Sequence, residues 1–425
     1  MHITSLPSPY GIGSMGKAAY DFIDFLKEAK QTYWQILPIN PPGYGDSPYQ
    51  SFSARAGNPN FIDFAELIEA GYLEQRDIDG VYLGSDPSNV DYGAIFGGRR
   101  QILDRAAERF AADKPADFDD FIQANEDWLI PYCEFMTVKE ECGLKAFWEW
   151  PAELRTRGEA SAKVCADHPA RMLYHQMTQY FFDRQWSRLK AYANERDILI
   201  IGDLPIYVAM DSADVWAEPE CFQLDDQCVP TEVSGVPPDY FSADGQLWGN
   251  PLYAWDRMQA DGFGWWIRRV DGASKLYDVI RIDHFRGFDA YWAVPFGETT
   301  AKNGHWVKGP GMSLVGVLTS WFPQLRFIAE DLGYLTPEVK AMLAASGYPG
   351  MKIMQFAFDH REPGNYLPYT YTKNSVVYTG THDNDTSRGW ARSAGKQERR
   401  MAATYMGVKK EKDFAWGLVR TAWVS

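Results

Sequence analysis

The chain has 425 residues, 45% of them hydrophobic, which supports one large domain or two to three ordinary ones around substantial cores. Its formal net charge of −15, without any cluster of Lys and Arg, argues against a nucleic-acid partner, because displacing counterions from a polyanion needs clustered cations. No window approaches the ~18 apolar residues of a membrane helix, and MHITSLPSPYGIG has neither the basic start nor the apolar core of a signal peptide, so neither membrane insertion nor export is expected.

Along the chain, strand-like runs alternate with helical periodicity, the pattern of a parallel α/β sheet or barrel. HITSL at 2–6 reads as a first strand. A helix follows, with Phe22, Phe25, Leu26 and Ala29 on one face, and then the run YWQILPI at 33–39. Between them GIGSMG at 11–16 matches G-x-G-x-x-G. Pro7 and Pro9 interrupt the run before it, and the next strand ends at Asn40 where a ribose-binding acid is expected, so a Gly-rich turn is favoured over a nicotinamide site. Residues 60–195 are acidic and mostly helical and read as an insertion; the stripe Leu173, Met177, Tyr180 and Phe181 near their end is core. Cys133, Cys142, Cys165, Cys221 and Cys228 have neither disulfide-framework nor zinc spacing and read as reduced thiols of a cytoplasmic protein.

The alternation resumes with ILIIGDLPIYV at 198–208. A second insertion, 210–275, contains the irregular, aromatic-rich stretch 231–256, which reads as a lid. VIRID, RFIAED, MKIMQFAF and SVVYTGTHD complete a set of seven strands, with no internal repeat. Four of these runs end in acids: Asp203, Asp283, Glu330 and Asp383. In a (β/α)8 TIM barrel, catalytic groups come from the C-terminal ends of several strands, so these acids are expected to converge.

Opposed carboxylates at such a rim suit glycoside chemistry, in which one ionised carboxylate attacks the anomeric carbon and one protonated carboxyl assists the leaving oxygen. Asp283 suits the nucleophile, because Arg281 lies two residues earlier on the same strand face and favours its charged form. Glu330 suits the acid, since Phe327, Ile328 and Ala329 predict an apolar setting that favours the neutral carboxyl. Asp383, beside His382, is placed to oppose the positive charge that develops on the sugar ring, and His284 and His382 are placed to hydrogen-bond hydroxyls. Zinc is the competing account of two histidines among acids, but the i, i+4 spacing of H-E-x-x-H is missing. Tyr44, Tyr49, Tyr240, Phe241 and Trp248 sit in Gly- and Pro-rich segments and read as flat platforms for sugar faces. The residues alone leave hydrolysis and transfer both open.

HITSLPSPYGIG, QILPINPPGYGDSPYQS, IGDLPIYVA, GVPPDYFSADGQLWGNPLY, RIDHFRGF, IAEDLG and THDND, in this order, resemble the 4-α-glucanotransferases called amylomaltase or disproportionating enzyme, a branch of the α-amylase clan. The resemblance covers essentially the whole chain. It implies a single catalytic barrel over 1–425 and transfer of an α-1,4-glucan segment to the 4-hydroxyl of another sugar, without metal or organic cofactor. It assigns Asp283 as nucleophile, Glu330 as general acid/base and Asp383 as transition-state stabiliser. Arg281, His284 and His382 are implied as support, Asp203 as a further acid at the site, and Tyr44, Tyr49 and Trp248 as sugar contacts. The α-glucan hydrolase of the same clan and a non-catalytic glucan-binding protein are the alternatives. Against the family pattern, the first strand is expected to be shortened and the eighth to be missing.

Overall fold

The computed structural model of the protein describes residues 1–43, 45–239, 242–333, 335–359 and 366–425. Tyr44, Tyr240 and Phe241 lie outside the described residues. The fold is α/β and divides into two compact units, Met1–Ile280 with Ala290–Leu325, and Arg281–Asp289 with Arg326–Ser425.

In the first unit, β1 (Tyr33–Gln35) pairs in parallel with β2 (Leu199–Leu204), Tyr33 opposite Leu199 and Gln35 opposite Ile201. From Ile200 onward β2 is buried on both faces, as a near-continuous apolar run requires. Gly202 is bare for a steric reason: a Cβ there would sit 2.1 Å from the Tyr277 ring. HITSL is not a strand. Ile3–Ser5 is a 3-10 turn whose backbone bonds close locally, Ser5 N to His2 O at 3.1 Å and Leu6 N to Ile3 O at 3.0 Å. Met1 O instead accepts the Trp34 indole N–H, and His2 Nδ1 accepts the Leu37 N–H, so this segment is tied to the β1 region without a ladder.

The helix Lys17–Glu28 buries Ala19, Ile23 and Leu26, while Phe25 is 58% exposed and Ala29 is also exposed. The buried stripe is thus rotated from the predicted one, with Phe22 at its margin, edge-on to Trp34. Residues 60–195 are mostly helical. Met177, Tyr180 and Phe181 of the helix Pro169–Asn194 are buried, the last two against Phe110. Each fully buried side chain of this size contributes ~1.5–3 kcal/mol. From the same helix Gln179 both accepts from Gly57 N–H at 2.7 Å and donates to Gly57 O at 2.9 Å, and Gln185 does the same at Asp63. These amides satisfy backbone groups that no strand pairs.

The stretch 231–256 is more ordered than its composition predicts. Within it, β3 (Glu232–Val236) and β4 (Gln246–Pro251) form an antiparallel pair. After β5 (Val279–Ile282), the strands β6 (Ala290–Pro295) and β7 (His305–Lys308) extend this pair into one sheet in the order β4-β3-β6-β7. The stretch expected to be irregular therefore holds two strands of an antiparallel sheet.

In the second unit, β8 (Arg326–Ala329) lies beside the end of β5 through Glu330 N–H to Ile282 O at 3.0 Å. Ala329 N–H donates to Pro349 O at the entry to β9 (Gly350–Ile353), which pairs in parallel with β10 (Ser375–Tyr378). Met354, Phe358, Ala402, Met406 and Leu418 form this unit's core. Among the described residues, no helix is long and apolar enough to cross a membrane.

Candidate active site

Within each unit, chemistry-bearing side chains lie near strand ends. In the second unit, Arg281 and Asp283 alternate onto one face, as the two-residue period of a strand requires. Arg281 is only 3% exposed and its Nη1 lies 2.8 Å from Asp283 Oδ1, while the Asp283 side chain keeps 27% exposure. Arg281 also lies against β9, with Nε 3.4 Å from Met351 Sδ. The nucleophile candidate thus carries a buried counter-charge and still faces outward.

Directly after Asp283 the chain turns sharply, because His284 adopts φ 48° and ψ 48°, the left-handed region that L-residues rarely occupy. The turn aims His284 N–H at Glu330 Oε2, 2.8 Å away, while Leu332 N–H donates to Oε1 at 2.7 Å. Phe285 N–H donates to Glu330 O at 3.1 Å. A residue held in a sparsely populated conformation between two candidate catalytic acids is a constraint built by its surroundings.

Burial pushes the Glu330 carboxyl above its ordinary range, and Arg281 together with the two backbone donors opposes the shift without cancelling it. A carboxyl displaced in this direction keeps its proton to a higher pH than a free one, which suits a general acid. Burial also drives the His284 imidazole down to about 3, with Arg286 adding to the effect, so the ring is neutral. Asp331, next to Glu330, ties the end of β8 to β9 by accepting Met351 N–H at 2.6 Å. Gly350 leaves room for it, since a Cβ there would come within 2.6 Å of Asp331 Oδ2.

The loop after β10 carries His382 and Asp383 with Nε2 and Oδ1 3.3 Å apart, and the Asp383 side chain is 73% exposed. Asn384 folds this loop on itself: its Oδ1 accepts from Thr381 N–H at 2.8 Å and from Thr381 Oγ1 at 3.1 Å. Buried Gln355 donates to Asp385 O at 2.9 Å, and Gly380 makes space for its amide, a Cβ at 380 falling 2.6 Å from Nε2. Sequence reasoning missed Gln355. A lone Gln in MKIMQFAF carries no local signal, and only its reach to a loop thirty residues away reveals the role.

In the first unit Asp203 is buried near the end of β2 and accepts a hydrogen bond from Tyr49 Oη at 2.6 Å. Asn250 of β4 donates to Val208 O at 2.8 Å, and its Oδ1 lies 3.4 Å from both Gln50 Nε2 and Ser234 Oγ, tying the 48–51 turn, the segment after β2 and the hairpin together. Trp248 is half-buried on β4, 6.4 Å from the Tyr207 ring, with its indole N–H on Gln246 Oε1. Asn250 and Gln50 are again supports that the sequence did not reveal. The predicted residues therefore fall into a carboxylate pair with its arginine, a His–Asp loop, and a Tyr–Asp pair with a neighbouring indole.

The second unit thus holds a counter-charged aspartate and a buried glutamate of raised pKa, the two kinds of carboxyl group used by enzymes acting on glycosidic bonds. A family model described as 4-alpha-glucanotransferase matches residues 1–425, and the chain belongs to that family. The 4-alpha-glucanotransferase of Streptococcus pneumoniae is 48% identical over 100% of this chain and 85% of its own length. That of Thermus thermophilus is 46% identical over 99% of this chain and 85% of its own length. The amylomaltase from Streptococcus agalactiae, solved in complex with acarbose, superposes with a TM-score of 0.95 at 44% identity, covering 99% of this chain and 86% of that one. The activity is that of a 4-α-glucanotransferase, a hexosyltransferase that disproportionates α-1,4-glucans. The hydrolase and binding-protein alternatives are not favoured.

Proposed function

We propose that Asp283, Glu330 and Asp383 carry the transfer in a retaining double displacement. Asp283 attacks the anomeric carbon while Glu330 gives its proton to the leaving glycosidic oxygen; the bond to that oxygen breaks and a glycosyl-aspartate forms. Glu330, now ionised, removes the proton from the 4-hydroxyl of the acceptor, whose oxygen displaces Asp283 and restores both groups. Asp383 opposes the positive charge that develops on the ring in both steps, and Arg281 supplies counter-charge to Asp283. His284, neutral, and His382 are assigned to sugar hydroxyls, as is Asp203 with Tyr49; Tyr44, Tyr240, Phe241 and Trp248 are assigned to ring faces.

The observation that carries this reading is the hydrogen bond from His284 N–H to Glu330, which fixes the acid against the residue following the ion-paired Asp283. The parallel pairs β1/β2 and β9/β10, with acids where strands end, support a (β/α)8 barrel, with 60–195 as a helical insertion and 210–275 carrying the hairpin. Donor and acceptor are α-1,4-glucans and malto-oligosaccharides. The five cysteines are free, which supports a cytoplasmic setting. The test is incubation of the purified chain with maltotriose and separation of products by length. Longer oligomers with released glucose are expected; glucose and maltose alone would overturn the transfer step.

A further inference from the structure

The helices Glu126–Glu141, Ala213–Ala217 and Gly264–Leu276 of the first unit border a polar cavity of about 340 Å³, within the ~300–1,000 Å³ range of small-molecule sites. No residue assigned above to the glucan chemistry lines it. Its walls include the indoles Trp128 and Trp265 and four guanidinium groups, of Arg55, Arg157, Arg268 and Arg269. Three of these cations are neutralised. Arg55 pairs with Asp127, Arg268 with Glu218 at 2.5 Å, and Arg157 with Glu134 at 2.5 Å.

Arg269 differs. It is 3% exposed and spends Nη1 on Ile206 O at 3.0 Å and Tyr253 Oη at 3.1 Å, and Nη2 on Pro205 O at 2.5 Å. Its Nε–H has no acceptor among the described residues. That atom is sealed from the cavity, so Arg269 acts in the wall as a brace on the backbone of Pro205 and Ile206. Trp128 is half-buried, with the Arg55 guanidinium 5.8 Å from its ring centroid.

We propose that this cavity is a second α-glucan site, which takes a short malto-oligosaccharide. Arg55, Arg157 and Arg268 are already paired with carboxylates, so an anionic ligand would have to break such a pair or reach the buried Arg269, whereas a neutral ligand leaves the pairs intact. Side-by-side guanidinium donors and carboxylate acceptors match vicinal hydroxyls, which both donate and accept, and the Trp128 ring provides an apolar surface for a pyranose face. The proposal rests on α-glucans being the protein's substrates.

The cavity also shares backbone with the site. Ser53 and Arg55 lie in the segment that carries Tyr49, and Ala54 N–H donates to Asp214 Oδ2 in the cavity wall at 2.8 Å. Pro205 and Ile206, held by Arg269, directly follow the strand that carries Asp203. A sugar seated here bears on the segments that place the Tyr49–Asp203 pair.

The test is calorimetric titration of the full chain carrying Asp283→Asn, which stalls turnover, with maltoheptaose. Two binding events per chain are expected, falling to one when Trp128→Ala or Arg268→Ala is added. Arg268 is the safer probe of the two, because its side chain is 45% exposed and its loss opens no core. The surviving event reports that each variant is folded; if Trp128→Ala binds nothing, the Arg268→Ala titration decides. A single event in Asp283→Asn that neither substitution alters would overturn the proposal. So would inorganic phosphate that binds in an Arg268-dependent manner while maltoheptaose shows one event. Maltotriose turnover by the unmodified chain is scored separately, so loss of the second site leaves the transferase assignment standing.

Discussion

Asp283 and Glu330 sit in opposite environments, one charged and partly open, the other buried, and the difference sets their assigned roles. Replacing Asp283 with Asn removes the nucleophile but keeps the shape. Maltotriose disproportionation should fall by at least ~10³-fold, with the far-UV circular dichroism unchanged; a variant within tenfold of the parent would remove Asp283 from that role. Glu330 must be protonated to act first, so kcat/KM should decline as pH rises through its raised pKa. Arg281 pulls that pKa down, so Arg281→Gln should move the alkaline limb to higher pH while lowering the rate ~10²-fold through loss of counter-charge at Asp283. A full pH profile of the variant checks both signs, and a limb that stays in place would uncouple Arg281 from Glu330. These features were legible in the sequence because strand alternation and a run of apolar neighbours are local. The left-handed turn at His284 was not, since nothing in RIDHFRG marks a histidine for positive φ.

Elements were legible where burial is two-sided and the chain is uninterrupted. ILIIGD, VIRI and RFIA are strands for that reason, while SVVY is half-buried throughout and is held by its parallel ladder with β9. HITSL has the right residues, but its backbone groups close within one turn and onto the backbone of Gly13, whose N–H donates to Thr4 O at 3.2 Å, so composition misleads there. The β3–β4 hairpin was hidden because glycines and prolines in GVPP and WGNP suggest loop, and its partner β6 lies some forty residues further on. The lid expected at 231–256 includes the large apolar residues Tyr240 and Phe241, which fall in sequence between β3 and β4. Changing both to Ala should raise the ratio of hydrolysis to transfer severalfold, measured as reducing sugar formed against glucose released from maltotriose; an unchanged ratio would take these two side chains out of water exclusion. At β2 the limit is steric. Gly202→Ala would drive a methyl into the Tyr277 ring and should destabilise the fold by ~1–3 kcal/mol in urea titration, with an accompanying loss of activity because Asp203 is the next residue on the strand.

At the scale of the whole molecule, the charge of −15 says little about which ion pairs hold the chain together, because exposed pairs such as Lys17–Asp21 each contribute ~0–1 kcal/mol. The buried cluster around Glu140 is different. Burial would raise this carboxyl, but the His175 and Arg171 side chains overcome burial and hold it down at about 2. A carboxylate whose folded pKa lies below its unfolded value of ~4.5 contributes stability that is fully present above pH ~5 and is lost as pH falls through ~4.5 towards 2, where the folded chain also takes up the proton. His175, 3% exposed, is itself pushed down by burial despite its 3.1 Å contact with Glu140. It therefore adds to acid sensitivity in the same sense, since unfolding lets it bind a proton at a higher pH than the fold allows. Glu140→Gln should cost stability at pH 7, by roughly 3 kcal/mol because an arginine and a histidine lose their buried partner. It should also flatten the fall of unfolding free energy between pH 5 and pH 3 relative to the parent. Urea denaturation at several pH values reads both effects. Parallel acid limbs in the two proteins would place the origin of acid unfolding in other carboxylates, and would show that this cluster is a packing feature and not an electrostatic one.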